Sequence, residues 1–208
     1  MARPDQDRQQ ISVALKIVQY VVYFYIYGKQ NYMDRPMTPH FSNIILIGMA
    51  GAGKSTVGRI LARHCARIFV DTDALIEKRC DCSLQQHLET VGIDAFRKLE
   101  EQVLLGIEQK ELVVATGGSA IYSERGMAHL KSTGPLVLLE ASLATVMARI
   151  HNQDTRGLIN PDGTGLADLY HGRRPLYDRW ADWRISVDHD PPAAIAEKIL
   201  SRLDGHTS

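Results

Sequence analysis

The sequence predicts an α/β fold in which short buried strands alternate with amphipathic helices, and three observations carry that expectation. Aliphatic runs of strand length recur along the chain, each followed by a stretch with apolar residues at helical spacing, the pattern of strand–helix repeats that build a parallel sheet. The first run leads straight into Gly48-Met-Ala-Gly-Ala-Gly-Lys-Ser55, a glycine-rich turn of phosphate-holding type. Polar and glycine residues gather where later runs end, at the edge where doubly wound sheets hold ligands.

Bulk composition narrows the class. A chain of 208 residues suits one compact domain with a short appendage, and 45% hydrophobic with 23% charged residues is ordinary for a globular protein with a real core. Basic and acidic residues balance to a formal net charge of zero, which argues against nucleic acid or an acidic membrane as a partner. Any phosphate affinity must therefore come from local geometry. The three cysteines, Cys65, Cys80 and Cys82, lack metal-finger spacing: one residue between Cys80 and Cys82 is fewer than the usual two-residue zinc loop. They read as free thiols in a reducing cytosol, so a cytoplasmic protein is expected. No exposed apolar stripe stands out in the region after residue 40, so a monomer is expected as well.

Residues 1–40 are a different text. The run "ISVALKIVQYVVYFYIY" at 11–27 is dense in valine, isoleucine and tyrosine but contains Ser12, Lys16 and Gln19, which sets it apart from a membrane span of about 20 apolar residues. It has no small-residue cleavage site of the secretory kind. An interfacial anchor and an added β-ribbon are two readings of it. A third, which we favour, is a start-site over-extension, because Met33 and Met37 sit just upstream of the first strand. The domain is therefore expected to cover 41–208.

The elements follow in order. "NIILI" is a buried strand, and "STVGRILARHC" after the glycine turn is a helix with Val57, Ile60, Leu61 and Cys65 on one face. Between them, glycines let backbone N–H groups turn inward while the helix N-terminus adds its positive end. Lys54 is placed to reach the β- and γ-phosphates of a nucleotide, and Ser55 to ligate Mg²⁺. A second strand, from Ile68 to Val70, ends in Asp71-Thr72-Asp73. Asp71 is a candidate for holding Mg²⁺ through water; Asp73 reads either as the N-cap of the next helix or as an acceptor of substrate-hydroxyl hydrogen bonds. "GIDAFRKLEEQVL" is helical, with Phe96, Leu99, Val103 and Leu104 on one face. Arg97 and Glu100, three apart, are a surface pair or a set in which Glu100 fixes Arg97 for two-point contact with a carboxylate.

The third strand, in "LVVATGGSAIY", ends in Gly117-Gly118-Ser119, where a ligand can lie directly against backbone. "PLVLLE" is the fourth strand, leading into a helix that carries Arg149. The polar loop "HNQDTRGLINPDGTG", centred on Arg156, has the length of an active-site lid, and its arginine would close on a transferring phosphoryl group while excluding water. "YHGRRPLYDRWAD" is helical and carries Arg173 and Arg174; "WRISVD" is the fifth strand; "PPAAIAEKILSRL" closes the chain as an amphipathic helix with proline in its first turn.

With these motifs in order, the chain from about 42 to 204 resembles the shikimate kinase family. The resemblance rests on the GxxGxGKST loop, the D-x-D after the second strand, F-R-x-x-E on a helix, the glycine turn, the lid arginine before Leu158-Ile159, and R-x-P-L-Y. It implies a three-layer α/β/α kinase of the nucleoside-monophosphate-kinase type, with a five-stranded parallel sheet in order 2-3-1-4-5. It implies ATP-dependent phosphorylation of the 3-hydroxyl of shikimate, a small carboxylated hydroxy acid, with Mg²⁺. By carry-over, Gly48, Gly51, Ala52, Gly53, Lys54, Ser55, Thr56, Arg149 and Arg156 would hold ATP. Asp73, Arg97, Gly117, Gly118, Ser119 and Arg173 would line the acceptor, with Arg97 and Arg173 on its carboxylate and Asp73 on its hydroxyls. Lys54, Asp73 and Arg156 would serve the transfer itself.

Three positions depart from the family pattern: Ser119 stands where a third glycine is usual, Gly92-Ile93-Asp94-Ala95-Phe96 replaces Gly-Glu-x-x-Phe, and Arg156-Gly157-Leu158 replaces Arg-Pro-Leu. All lie around acceptor and lid. Two other readings therefore stay open at this point: a kinase of another hydroxy acid such as homoserine, and a nucleotide-binding regulatory module without turnover.

Overall fold

A computed structural model describes residues 42–150 and 165–204. The N-terminal segment 1–40 and the lid loop with Arg156 lie outside the described residues.

Five parallel strands form one sheet: β1 (Asn43–Ile47), β2 (Ile68–Asp71), β3 (Leu112–Ala115), β4 (Leu136–Glu140) and β5 (Trp183–Ser186), in the order β2-β3-β1-β4-β5. This is the order the family resemblance implies. Strand β1 sits at the centre, with Ile45 opposite Val114 on one side and Leu136 on the other. Ile44, Ile45, Leu46 and Ile47 are all fully buried. Since neighbours along a strand point to opposite faces, both faces of the sheet must be covered, which is why the run reads as continuously aliphatic rather than alternating. Truncating any of the four to alanine would cost about 2–5 kcal/mol.

The helices are α1 (Lys54–His64), α2 (Thr72–Cys80), α3 (Leu84–Leu105), α4 (Glu124–Thr133), α5 (Leu143–Ile150), α6 (Leu166–Trp180) and α7 (Pro192–Asp204). Helix α1 packs with α7, and α3 packs with both α2 and α4. Gly58 of α1 lies so close to the sheet that a Cβ there would sit 2.5 Å from the Phe69 ring, so glycine at this helical position permits the helix to approach. Asn43 is a buried polar residue with both ends of its amide used: Nδ2 donates to Gln109 O at 3.0 Å and Oδ1 accepts from Leu112 N at 3.0 Å. It thereby fastens the start of β1 to the start of β3.

Sequence and structure part in three places. Helix α3 begins at Leu84, two turns before the expected start, because Ser83 and Gln86 form a reciprocal capping box; Gly92 (φ 76°, ψ 169°) then breaks the helix where it was expected to begin. Helix α4 was not expected at all. It is started by Ser123, whose hydroxyl accepts from Gly126 N at 3.0 Å. The N-cap of α2 is Asp71 rather than Asp73: the Asp71 carboxylate accepts from Asp73 N at 3.1 Å. That leaves the Asp73 carboxylate out of the capping role.

Candidate active site

The glycine turn is shaped by backbone that side chains would forbid. Gly51 and Gly53 have φ of 79° and 91°, and a Cβ on Gly48 (φ 141°) would lie 2.6 Å from Leu139 O. Helix α1 starts from Gly53 with no side-chain cap, so its first N–H groups are left for a ligand. Lys54 is buried, and its Nζ donates to Gly48 O at 2.7 Å and Met49 O at 2.8 Å. Burial lowers its pKa to about 8 against the opposing pull of Asp73 and Asp71. Arg149, at the end of α5, bridges the turn to the far side of the sheet, donating to Gly51 O at 3.2 Å and Val187 O at 2.9 Å. A Cβ on Gly51 would meet Ile150 at 3.3 Å, so α5 lies directly over this part of the turn.

The carboxylates of the second strand reach the same place. Ser55 Oγ donates to Asp71 Oδ2 at 2.6 Å. One hydroxyl and one carboxylate oxygen side by side, next to the phosphate turn, are hard oxygen donors of the kind Mg²⁺ takes with bound water. Asp73 is pushed up to about 6, first by burial and then by the neighbouring Asp71 charge, with Lys54 pulling the other way. A carboxylate tuned this way titrates near neutrality.

Strand β3 supplies the opposing wall. Gly117 N donates to the buried Thr72 Oγ1 at 2.9 Å, which ties the ends of β2 and β3 together. A Cβ on Gly117 would overlap Asp73 Oδ1 and lie 3.0 Å from Glu100 Oε1. A Cβ on Gly118 would sit 3.1 Å from Arg173 Nη1 and 3.4 Å from Ala50 N of the phosphate turn. The Ser119 hydroxyl donates to Glu100 Oε1 at 2.7 Å, with both residues buried. Glu100 is only 2% exposed, and burial raises its pKa to about 7, with Asp73 raising it further and Ser119, Arg173 and Arg97 acting against the shift. Glu100 is therefore neither half of a surface pair nor the hydrogen-bond partner of Arg97: its bond comes from Ser119.

Arg173, expected to face the acceptor, is 1% exposed, whereas Arg174 is turned outward towards Glu140 at 3.9 Å. Pro175 follows two places after Arg173 inside α6. Tyr177, one turn on from Arg173, donates to Gly118 O at 2.8 Å. The guanidinium groups of Arg97 and Arg173 lie 5.0 Å and 5.5 Å from the ring of one residue, Tyr122. Thus Lys54, Ser55, Asp71, Asp73, Gly117, Gly118, Ser119 and Arg173 converge, Arg97 joins through Tyr122, and Arg149 stands on the far side of the turn. Arg156 lies outside the described residues. Sequence reasoning gave no role to Tyr122, Thr72 or Tyr177; Thr72 was legible as the middle of Asp-Thr-Asp and Tyr177 as the last residue of R-x-P-L-Y, while Tyr122 carries no signal beyond following the glycine turn.

The family model described as Shikimate kinase matches residues 50–204. The shikimate kinase of Vibrio parahaemolyticus serotype O3:K6 is 35% identical over 165 residues, covering 78% of this chain and 96% of its own. That of Sulfurihydrogenibium sp. strain YO3AOP1 is 38% identical over 162 residues, covering 77% and 97%. Among solved structures, shikimate kinase from Acinetobacter baumannii in complex with shikimate superposes with a TM-score of 0.75 at 33% identity, covering 81% of this chain and 96% of that one. With the family model matching residues 50–204 and relatives at 35–38% identity covering nearly their whole length, the chain belongs to the shikimate kinase family.

Proposed function

We propose that the protein transfers the γ-phosphoryl group of ATP to the 3-hydroxyl of shikimate. The observation that carries the reading is the position of Gly118, which abuts both Arg173 and the Ala50 amide of the phosphate turn. An acceptor held by Arg173 against the glycines would thus lie at the end of the cradle where a γ-phosphate arrives. Arg97 and Arg173, sharing the Tyr122 ring, would grip the carboxylate, and guanidinium forks favour that contact. Asp73, with its pKa near 6, would orient the attacking hydroxyl and accept its proton. The loose transition state of phosphoryl transfer asks mainly for positioning and charge neutralisation, which Lys54 and Arg156 would supply. Arg149 would flank the adenine.

Ser55 and Asp71 would hold Mg²⁺, which when bound neutralises charge on the phosphates. A monomer fits the described surface, where the exposed large apolar residues Val91, Tyr122 and Met147 fall on separate elements. No helix among the described residues is long and apolar enough to cross a membrane. Three cysteines held as thiols rather than disulfides suit a reducing compartment, and we place the enzyme in the cytoplasm. Residues 1–40 are proposed to have no part in the catalysis.

What supports shikimate over homoserine, and a kinase over a regulatory module, is the retention of both carboxylate-side arginines and Asp73 in a chain whose relatives are named shikimate kinases. The test is coupled ADP release with Mg-ATP and shikimate, homoserine or no acceptor. Shikimate-dependent turnover that collapses in Arg97→Ala is expected. Turnover with homoserine alone, or nucleotide binding without any acceptor-dependent turnover, would overturn the proposal.

A further inference from the structure

We infer that Cys80, Cys82 and His87 form a zinc-binding site at the elbow between α2 and α3, separate from the phosphate turn. Sequence spacing argued against such a site, because one residue between Cys80 and Cys82 is fewer than the usual two-residue zinc loop. The fold supplies a third ligand from outside that spacing. Cys80 is the last residue of α2, and Asp81 after it adopts the left-handed conformation (φ 55°, ψ 35°). That turn folds the chain back, so that Cys80 Sγ lies 3.4 Å from Cys82 O. Ser83 then caps α3 through its reciprocal bonds with Gln86, and His87 N donates to Ser83 O at 2.9 Å in the first turn. The cap thereby fixes the side of the helix from which His87 projects. The two sulfurs and one ring nitrogen of His87 all lie within 4.8 Å of one another.

The donor chemistry points to zinc. Two thiolates and an imidazole are borderline-soft ligands that suit Zn²⁺ and disfavour Mg²⁺ or Ca²⁺. A tetrahedral centre with Zn–S near 2.3 Å and Zn–N near 2.0–2.1 Å brings its ligand atoms to about 3.5–3.8 Å from one another. The observed cluster needs to contract by about 1.3 Å at most, within reach of side-chain rotation. All three residues are half-buried, so an ion has an entry path and water can complete the fourth position. The His87 ring also stands 6.1 Å from the Phe96 ring, and Phe96 is fully buried beside Arg97. An ion here would brace the elbow joining α2, which carries Asp73, to α3, which carries Arg97 and Glu100.

The test uses the full chain, reduced and stripped of metal, titrated with Co²⁺ as a spectroscopic probe and with Zn²⁺ in competition. A thiolate-to-cobalt charge-transfer band saturating at one ion per chain, displaced by Zn²⁺, is expected. Cys80→Ser and Cys82→Ser should abolish the band, His87→Ala should weaken affinity at least about tenfold, and Cys65→Ser should leave both unchanged. Zinc should also raise the thermal midpoint of the wild type and not that of Cys82→Ser; circular dichroism establishes that the variants are folded. Absence of the band, or unchanged affinity in His87→Ala, would overturn the inference.

Discussion

Replacing Glu100 by glutamine should change the pH dependence of stability, and the structure sets the size of the change. Glu100 is buried, and its pKa in the folded protein is about 7 against an ordinary 4.5. Between those values the folded chain keeps a proton that the unfolded chain has released, so stability falls as pH rises through the window. Stabilisation from the neutral carboxyl is complete below about pH 4.5 and is lost by the time the pH passes about 7. At 1.36 kcal/mol per pH interval, the loss is about 3 kcal/mol. Glutamine does not ionise and should not show it. Asp73, also raised by burial, imposes a similar slope at lower pH on both proteins, and it largely cancels in their difference. Urea unfolding of wild type and Glu100→Gln at about pH 5 and pH 8 should therefore give a difference in unfolding free energy that moves by about 2–3 kcal/mol in favour of glutamine at the higher pH. The same shift at both pH values would refute the reasoning, because it would mean that Glu100 titrates as an exposed carboxylate.

Three further outcomes follow from the acceptor wall. Gly117→Ala places a Cβ on top of Asp73 Oδ1; displacing that carboxylate should lower kcat/KM for shikimate by about 100-fold while nucleotide affinity, measured by calorimetry, stays unchanged. Tyr122→Ala removes the ring shared by Arg97 and Arg173 and should raise KM for shikimate ~5- to 30-fold, from about 1–2 kcal/mol of cation–π interaction; steady-state kinetics should show kcat nearly constant and Tyr122→Phe close to wild type. Ser119→Ala strips the 2.7 Å donor from buried Glu100 and should cost about 1–3 kcal/mol at pH 8, with a smaller loss at pH 5 where Glu100 is protonated. Equal losses at both pH values in urea titrations would contradict the assigned bond.

The phosphate side of the molecule was legible because its chemistry is local. Strand, glycines, Lys54 and Ser55 are consecutive in sequence, and a run of residues with one spacing implies one geometry. Strand positions were legible for a similar reason: a sheet covered on both faces demands unbroken aliphatic runs. What could not be read locally depended on contacts between distant segments. Glu100 looked like the partner of Arg97 because three residues of helix separate them, yet its bond comes from Ser119, 19 residues away. Tyr122 has no periodicity to announce it; only the closure of α3 and α6 around the end of β3 brings two guanidinium groups to its ring. Helix α4 was hidden by its composition, since histidine, lysine, serine and glycine dilute its apolar face. The capping box is readable in Ser83-x-x-Gln86, but Gly92 nine residues later is the stronger local signal and sets the expected start of the helix.

The central place of β1 has a consequence for how this protein can change its trade. Most residues proposed for the acceptor descend from β2, β3 and α3, with Arg173 reaching in from α6, while Arg149 and its anchor at Val187 belong to the β4–β5 side. The two territories meet at the phosphate turn and along α6. A library confined to Ser119, Tyr122 and the Gly92 break would therefore explore new alcohols without disturbing the fuel supply. Recruitment of one scaffold to many small molecules requires that freedom, and here the strand order provides it.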